Sequence, residues 1–456
     1  MRVNRDRMDL TFAGAEVGVE PLTWGEKAIL QDMRDSGNQF SMGGRMALPD
    51  GGTVADAAAR ITGLMSRHTA LRVRLRTDAA GRLSQHIAGE GRLSLDILTL
   101  PDDADPSEVE PYAADLMDSW PLERFDFEHD WPLRMAVVRH RGACRHLVWV
   151  LSHLVADGGA HLLFLDDLLA PDTGERVQLL DVVRNEQTDQ LRQLSTRAMR
   201  HWEAQLRHIP PQTFGEPAQP QGEVEQRYQQ VRFTSRAAHL AMLAIARRTG
   251  TDASRVTLAV IATAIGRFLG ISPLTVKIMV NNRFRTGLAD VIAPVAQNSV
   301  LTIDVADTTI DEVVGRARGA AVTAGMRAYC DPDEIGDLMA RLDAERGYPA
   351  TVTCRVNDQR AMVLRADEQP DPTEVTPDLI RQRLEESTLT WIGPRENVHE
   401  QANILIENRS DLVSLYVIWD LWSLRREQVE AVLRGVEAIA IEAAFDPAAR
   451  TQVSPR

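Results

Sequence analysis

The nine residues from Ser152 to Ala160 place an imidazole, a carboxylate and two glycines in one short stretch, Ser-His-Leu-Val-Ala-Asp-Gly-Gly-Ala. Residues 147–151 before it are apolar and uncharged, which predicts a buried strand. Leucines recur at helical spacing after it. We therefore expect His153 where a strand ends and a turn begins, a position from which a rigid scaffold can present a side chain to a substrate. Because histidine exchanges protons near neutral pH, the segment indicates a catalytic base.

Taken alone, this segment leaves three interpretations open. In the first, His153 is a hydrogen-bonded core residue and Asp157 caps a helix. In the second, His153, Asp157 and His161 share one helix face and bind a metal ion. Gly158 and Gly159 would each cost that helix about 1 kcal/mol relative to alanine, so we expect no metal site. In the third, His153 takes part in acyl transfer.

Composition bounds the class of protein. The chain has 456 residues, of which 44% are hydrophobic and 25% charged, as in a globular protein with two domains or subdomains. Its 51 basic and 65 acidic side chains give a net charge of −14, which argues against nucleic acid or an anionic membrane as the main partner. An acidic partner would need a local basic patch, and the arginines between Arg67 and Arg76 are one candidate for it.

The cysteines and the N-terminal residues indicate the cellular compartment of the protein. Cys144, Cys330 and Cys354 are too few and too scattered for a disulfide framework or a zinc ribbon. The first ten residues are charged and mixed, without the apolar core of a signal peptide. No run of 18 apolar residues occurs. These features predict a cytoplasmic protein that does not enter a membrane.

The first half of the chain alternates helix and strand signals. Thr23 and Glu26 form a capping-box pattern that predicts a helix through Met33. The other predicted elements are a helix at Val54–His68, a strand at Leu71–Arg76, a hairpin of Leu133–Val138 and His146–Leu151 that turns at Arg141-Gly142, and a polar helix at Gln187–Arg207.

The second half repeats this alternation. Predicted helices are Ser235–Thr249, Val256–Leu269 and Arg425–Ala444; predicted strands are Leu274–Val280, Val300–Val305, Ala350–Val356, Asn403–Glu407 and Leu412–Trp419. Trp391 is expected in a turn. The mixture predicts an α/β fold of two sandwich subdomains: residues 1–175 with the histidine motif, a connecting helix and linker at 176–230, and residues 231–456.

Several motifs resemble those of the nonribosomal peptide condensation domains, which share the chloramphenicol acetyltransferase fold. Ser-His-Leu-Val-Ala-Asp-Gly is similar to the family motif His-His-x-x-x-Asp-Gly. The other stretches that carry the resemblance are residues 21–26, 66–72, 125–126, 131–134, 201–210, 281–283 and 297–299. The resemblance implies two chloramphenicol acetyltransferase-like subdomains in a V-shaped pseudo-dimer with a tunnel, in a free-standing member of the family.

The motif departs from the family pattern at Ser152, so the resemblance alone does not decide between an enzyme and a docking module. Ser152 replaces the first histidine of the motif, whereas His153 retains the second, which is the catalytically implicated one in the family. Relatives that only recruit partners typically lose that second histidine, so its presence favours an enzyme.

Roles for the site residues follow from the chemistry and the resemblance. His153 is expected to take the proton of the attacking acceptor, and the backbone N–H of Gly158 to stabilise the oxyanion. The resemblance implies that Asp157 turns away and pairs with Arg283 in a structural role. Ser152 is adjacent on the strand and points to the opposite face, which argues against a nucleophile.

Two further residues, Asn298 and Arg72, are expected to contact substrate. The predicted function is a condensation enzyme that joins a thioester-bound acyl or aminoacyl group to an amine or alcohol in natural-product biosynthesis. A carrier protein supplies the phosphopantetheine arm, and no bound cofactor is expected. The alternatives are a non-catalytic docking module of the same fold and an acyltransferase that uses coenzyme A.

Overall fold

The computed structural model describes residues 3–49, 51–120, 123–170, 174, 176–218, 226–362, 375–396, 398 and 400–455. The described residues form a mixed α/β fold with fifteen strands and twelve α-helices. The chain divides into two compact units: residues 1–192 with 282–296, and residues 193–281 with 297–456.

The first unit contains a five-stranded and a three-stranded sheet. Its strands are β1 (Asn4–Ala13), β2 (Gly18–Glu20), β3 (Ser41–Ala47), β4 (Val73–Thr77), β5 (Leu83–Ile87), β6 (Glu90–Thr99), β7 (Leu133–His140) and β8 (Ala143–Ser152). Its helices are α1 (Trp24–Ser36), α2 (Val54–Arg67), α3 (Val109–Ser119), α4 (Gly158–Leu169) and α5 (Leu179–Glu186). The strand orders are β1-β6-β7-β8-β3 and β2-β5-β4.

The strand that leads to His153 is β8. Residues 147–152 of β8 are all buried, because β7 and β3 pair with it on both sides and both of its faces are covered. The hairpin between β7 and β8 turns at Arg141 and Gly142, whose φ angles of 51° and 76° are those of a tight primed turn. This confirms the predicted hairpin.

The first two helices begin where their capping residues predict. Thr23 and Glu26 form a complete capping box for α1, and Thr53 and Asp56 form one for α2. The predicted strand at Leu71–Arg76 begins later, at Val73, because Thr69–Arg72 make a 3₁₀ turn first.

The second unit is built on a seven-stranded sheet. Its strands are β9 (Tyr228–Ser235), β10 (Leu274–Val280), β11 (Gln297–Ile303), β12 (Cys354–Asp358), β13 (Thr388–Pro394), β14 (Ala402–Ile406) and β15 (Val413–Asp420), in the order β11-β10-β12-β14-β15-β9-β13. Its helices are α7 (Arg236–Thr249), α8 (Ala253–Leu269), α9 (Ile310–Met326), α10 (Pro332–Arg346), α11 (Pro377–Gln382) and α12 (Arg426–Ala444). Apolar side chains of α7, α8, α9 and α12 form the main core with this sheet.

Two departures from the sequence-based elements are informative. Trp391 lies in the edge strand β13, which pairs with β9 across a bulge, and not in a turn. Its indole Nε1 donates to Glu430 at 2.8 Å, so a long-range contact places a residue that local turn signals assigned to a loop.

The unit boundaries also differ from the sequence-based ones. Helix α6 (Asp189–Leu206) passes from the first unit to the second at residues 192–193. Residues 282–296 pack in the first unit although the chain on either side belongs to the second. Residues 219–225 of the expected linker, and 171–173 at the expected end of the first subdomain, lie outside the described residues. Within the described part of the chain, no helix is both long and apolar enough to cross a lipid bilayer.

Candidate functional site

His153 lies directly after β8, in the turn that leads to α4. Its backbone N–H donates to the carbonyl of Phe40 at 2.9 Å, and Val155 N–H closes the turn on the carbonyl of Ser152 at 3.2 Å. The flanking residues 152 and 154–157 are buried, whereas His153 is partly exposed. The strand end therefore fixes the backbone of His153, and the residue as a whole stays partly exposed although its ring Nδ1 is buried.

Asp157 holds this turn through four hydrogen bonds. Its Oδ1 accepts from the backbone N–H of Ala160 at 2.8 Å and from Nη2 of Arg283 at 2.6 Å. Its Oδ2 accepts from the backbone N–H groups of Val295 and Ala296 at 2.8 and 2.9 Å. The side chain caps α4 and, at 3% exposure, is closed to solvent. Both oxygens of this carboxylate are therefore occupied by donors from the turn and from residues 283–296.

The second partner of the pair, Arg283, is anchored by its own segment. Its guanidinium also donates to the backbone carbonyls of Val291 and Ala293 at 3.0 and 3.2 Å. Gly159 gives it room, since a Cβ at that position would lie 2.2 Å from Nε of Arg283. The ion pair therefore requires a residue without a side chain in the first turn of α4.

Residues 282–296 form a loop that presents the donors to Asp157. Asn282 is fully buried with φ of 55°, and its side-chain amide donates to the carbonyl of Val295 at 2.9 Å. On the other side, Gly25 of α1 lies against this loop so closely that a Cβ would stand 1.6 Å from the carbonyl oxygen of Pro294. The loop thus couples α1 to the turn that carries His153.

Ser152 is a buried side chain used by the fold. Its Oγ accepts a hydrogen bond from the backbone N–H of Leu154 at 3.2 Å, and the residue is 1% exposed. The hydroxyl stabilises the turn after β8. This contact gives Ser152 a structural task at the position where the family motif has its first histidine.

The metal interpretation of the segment meets two obstacles. The carboxylate of Asp157 is already occupied, and Nε2 of His161 accepts from the indole Nε1 of Trp149 at 2.9 Å. His153 precedes α4, so the three side chains do not share a helix face. Among the described residues, no group of three or more His, Cys, Asp or Glu side chains is arranged to hold a metal ion.

Gly158 is the first residue of α4. The first N–H groups of a helix lack partners within the helix, and they lie at the positive end of its dipole. The backbone N–H of Gly158 has the chemistry of an oxyanion donor.

The remaining two predicted residues are Arg72 and Asn298, and the hydrogen bonds that the Arg72 side chain makes within the described residues do not reach the histidine turn. Arg72 is 1% exposed and its Nη1 donates to the backbone carbonyls of Glu16, at 2.9 Å, and Ala88. Burial lowers the pKa of Arg72. Asn298 lies on β11 of the second unit, opposite Met279 of β10. Within the described residues, the buried Oδ1 of Asn298 has no hydrogen-bond partner.

A charged cluster behind α4 was not expected from the sequence. His68 Nε2 lies 2.6 Å from Asp167 Oδ2, and Arg67 and Arg176 approach the same carboxylate at 3.3 and 3.2 Å. Burial alone would raise the pKa of Asp167, but the hydrogen bond from His68 and the neighbouring charges lower it to about 2. Burial lowers the pKa of His68. Arg67 and His68 belong to the motif at 66–72, but their partner Asp167, 99 positions after His68, had no local signal.

Comparison with known proteins places this geometry in a family. The model of the condensation domain matches residues 44–343. No curated protein sequence matches the chain. Many solved structures share its fold at low identity, and three of them serve as examples. The X-domain from teicoplanin biosynthesis is 17% identical, with a TM-score of 0.68, over 98% of this chain and 99% of that one.

The second structure concerns condensation domain-mediated chain release from the enacyloxin polyketide synthase. It is 17% identical, with a TM-score of 0.71, over 96% of this chain and 85% of that one. The third is the first condensation domain of the calcium-dependent antibiotic synthetase in complex with a substrate analogue. It is 15% identical, with a TM-score of 0.64, over 95% of this chain and 98% of that one. At these identities the structures establish the fold, which is the chloramphenicol acetyltransferase-like α/β fold expected above. Since the family model covers well over half of the chain, the protein belongs to the condensation domain family.

Proposed function

We propose that this protein is an acyltransferase of the condensation type. It joins an acyl or aminoacyl group, held as a thioester on a carrier protein, to the amine or hydroxyl of a small-molecule acceptor in natural-product biosynthesis. The observation that carries the proposal is the histidine motif in a chain of the condensation domain family. In it, the partly exposed His153 lies on a turn that the ion pair of Asp157 and Arg283 stabilises.

His153 is the proposed base. The nitrogen or oxygen of the acceptor attacks the thioester carbonyl and loses a proton to the imidazole, the carbon–sulfur bond breaks, and the thiolate takes a proton to leave as a thiol. The products are an amide or ester and the free thiol of the carrier. A positioned base of this kind typically contributes about 10²–10⁴-fold to the rate.

Asp157 and Arg283 are proposed as positioning residues. They do not touch the reacting atoms in this scheme, but they fix the start of α4 and the end of the turn. Holding the base and both substrates in one geometry removes entropy from the barrier, worth up to about 7–11 kcal/mol in ideal cases.

The backbone N–H of Gly158 is proposed to donate to the oxygen of the tetrahedral intermediate. Glycine leaves the amide open to close approach, and the helix dipole favours negative charge at that end. Loss of one such donor typically costs about 10²–10³-fold in turnover.

The carrier protein is the proposed partner. Its phosphopantetheine arm arrives with the donor as part of the substrate, and the thioester is already activated, so the scheme requires no nucleotide and no metal ion.

The proposal is tested with the purified full chain, an acyl-loaded carrier protein and an amine or alcohol acceptor. His153→Ala is expected to reduce product formation at least about tenfold while the thermal unfolding midpoint stays close to that of the wild type. The matched control is His208→Ala, an exposed histidine that lies outside the proposed site, which should leave the rate unchanged. Product formation by His153→Ala at the wild-type rate would refute the proposed base and favour the docking module.

The donor is distinguished by presenting one acyl group on carrier protein and on coenzyme A. We expect the carrier-bound group to react faster at equal concentration. An equal or faster reaction with coenzyme A would reassign the protein as a coenzyme A-dependent acyltransferase.

A further inference from the structure

A second feature of the first unit lies outside the histidine turn. A cleft of about 320 Å³ is bounded by β1, β4, β6, β7 and residues 120, 123 and 129–131. Five arginines line it against three carboxylates: Arg5, Arg7, Arg74, Arg92, Arg134, Asp96, Glu123 and Asp130. In a chain of net charge −14, the cleft has an excess of two positive charges.

Three of the five arginines already have binding partners within the protein. Arg5 and Arg7 both bind the carboxylate of Asp96, at 2.5 and 2.9 Å. Arg134 donates to the backbone carbonyls of Glu123 and Arg124 at 2.8 Å and stacks on an aromatic ring. These contacts fix the walls of the cleft.

Arg74 and Arg92 differ from those three. Neither forms an ion pair with any residue that the structure describes. The guanidinium of Arg74 lies flat on the indole of Trp131, 3.8 Å from the ring centroid, and its buried Nε has no hydrogen-bond partner among the described residues. Burial lowers the pKa of Arg74, as does the charge of Arg76, and Asp130 offsets them only in part.

The position of Arg92 is fixed through its backbone. The carbonyl of Arg92 accepts a hydrogen bond from Nε1 of Trp131 at 2.8 Å, while its side chain is exposed. The same indole therefore stacks on one arginine and anchors the strand that carries the other. Two arginines without an ion-pair partner among the described residues thus meet at one cleft, where Trp131 contacts the guanidinium of Arg74 and the backbone of Arg92.

We infer that this cleft binds a phosphate ester. Guanidinium groups pair with phosphate oxygens through two parallel hydrogen bonds. A phosphate monoester carries about −1.5 to −2 charges at pH 7, which matches the excess of two positive charges. The volume lies at the lower end of the range of small-molecule sites, about 300–1,000 Å³. The inference does not depend on the proposed acyl transfer.

The sequence suggested a basic patch between Arg67 and Arg76, but most arginines of that stretch have partners or are buried. Arg67 is bound to Asp167, Arg72 is buried, and Arg76 pairs with Glu128 at 2.6 Å. Of the arginines in that stretch, only Arg74 lines the cleft.

The test is calorimetric titration of the full chain, at fixed ionic strength, with inorganic phosphate, free phosphopantetheine and succinate. We expect one saturable site for phosphopantetheine and phosphate and much weaker binding of succinate. Arg92→Gln and Arg74→Gln should each weaken binding about tenfold, because each removes a charge-assisted hydrogen-bond donor. Arg92→Gln guards against loss of folding, since the exposed side chain of Arg92 makes no hydrogen bond or ion pair with the residues that the structure describes.

The matched control is Arg82→Gln, an arginine with 83% of its side chain exposed that pairs with Asp78 outside the cleft. It should change the affinity less than twofold. Two sources of the ester are separated by titrating carrier protein with and without its phosphopantetheine arm. Affinity only for the carrier with the arm, weakened by both cleft substitutions, would assign the site to the phosphodiester that joins the arm to the carrier, whose single negative charge matches one of the two excess positive charges of the cleft. Absence of binding in every titration, succinate as strong as phosphate, or equal loss in Arg82→Gln would overturn the inference.

Discussion

At the scale of single residues, the function of a polar side chain depends on how many of its hydrogen bonds the fold already uses. Asp157 has four donors and Ser152 one, so both are occupied within the protein. His153 is held through its backbone, and this partly exposed residue stands at the end of a buried strand. This distribution of contacts separates the supporting residues of the motif from the one proposed to react.

Asp157→Ala is expected to destabilise the protein by about 3–5 kcal/mol, because it leaves the buried charge of Arg283 without its carboxylate. Urea unfolding of the purified variant measures this. The control is Asp166→Ala, an exposed aspartate on the same helix, for which we expect a change within about 0.5 kcal/mol. A loss below about 1 kcal/mol for Asp157→Ala would mean that the pair does not hold the turn.

The sequence predicted some contacts of the candidate site and missed others, and the difference has a physical reason. Asp157 and His153 belong to one local motif, and the family resemblance supplied Arg283 as the partner, 126 positions away. For Arg72 the motif identified an arginine but not its surroundings, which are backbone carbonyls in the core. The backbone donors of Val295 and Ala296 carry no side-chain signal at all.

At the scale of elements, close contacts at two glycines position the supporting loop. Gly25 on α1 and Gly159 on α4 both lie against the segment 282–296. Neither glycine has a positive φ among the described backbone angles, so each is needed for space and not for backbone conformation. The two helices therefore hold the loop only as long as both positions lack a side chain.

Gly159→Ala should destabilise the protein by about 1–3 kcal/mol, since the new Cβ would displace an Arg283 guanidinium that Asp157 and two carbonyls hold in place. Thermal or urea unfolding measures it. Gly315→Ala on α9 is the matched control: nothing lies within 4 Å of its Cβ position, so alanine should stabilise that helix by about 0.5–1 kcal/mol. Equal effects of the two substitutions would contradict the steric explanation.

Elements with strong local signals were predicted well, and elements that depend on distant partners were not. The helices α1 and α12 and the hairpin of β7 and β8 lie within a few residues of their predicted bounds. By contrast, β13 is an edge strand whose only partner in the sheet is β9, more than 150 positions earlier, so no local pattern reveals it. The same reason hides the arginine cleft, whose walls come from five separate stretches of chain.

At the scale of the whole molecule, buried titratable groups give opposite contributions to the pH dependence of folding. The pKa of Asp167 falls to about 2 in the fold, so the unfolded chain binds its proton more readily. Its contribution is therefore present above about pH 4 and is lost as the pH falls towards 2. The pKa of His68 is also lowered, which adds a loss of stability as the pH falls below about 6.5.

The Asp167 contribution is measured by comparing Asp167→Asn with the wild type in urea at several pH values. At pH 7 the variant should be less stable by about 2 kcal/mol or more, since a shift of nearly two pKa units corresponds to that free energy. The difference should shrink as the pH falls towards 2, where the unfolded chain is protonated and about half of the folded wild-type carboxyl is protonated too. A difference that stays constant with pH would show that lost packing, and not the charge, is responsible.

Glu26 works in the opposite direction. Its carboxyl is fully buried in the α1 capping box, where Oε2 accepts from Thr23 and Gln85, and Oε1 has no partner among the described residues. Burial raises its pKa to about 7, against the hydrogen bonds from Thr23 and Gln85 that lower it. The stability that this group contributes is fully present below about pH 4.5 and is lost as the pH rises through 7, because the fold must then bury a charge.

Glu26→Gln should therefore stabilise the protein above pH 7, by up to about 3 kcal/mol when the wild-type carboxyl is fully ionised. Glutamine keeps an acceptor oxygen for Thr23 and Gln85 and has no charge to bury. Near pH 4.5 the two proteins should be equally stable within about 0.5 kcal/mol. Urea unfolding at pH 4.5, 7 and 9 measures the change, with Glu427→Gln in the exposed first turn of α12 as the control that should show no such trend. Equal stability of Glu26→Gln and the wild type at pH 9 would mean that the carboxylate is accommodated without cost.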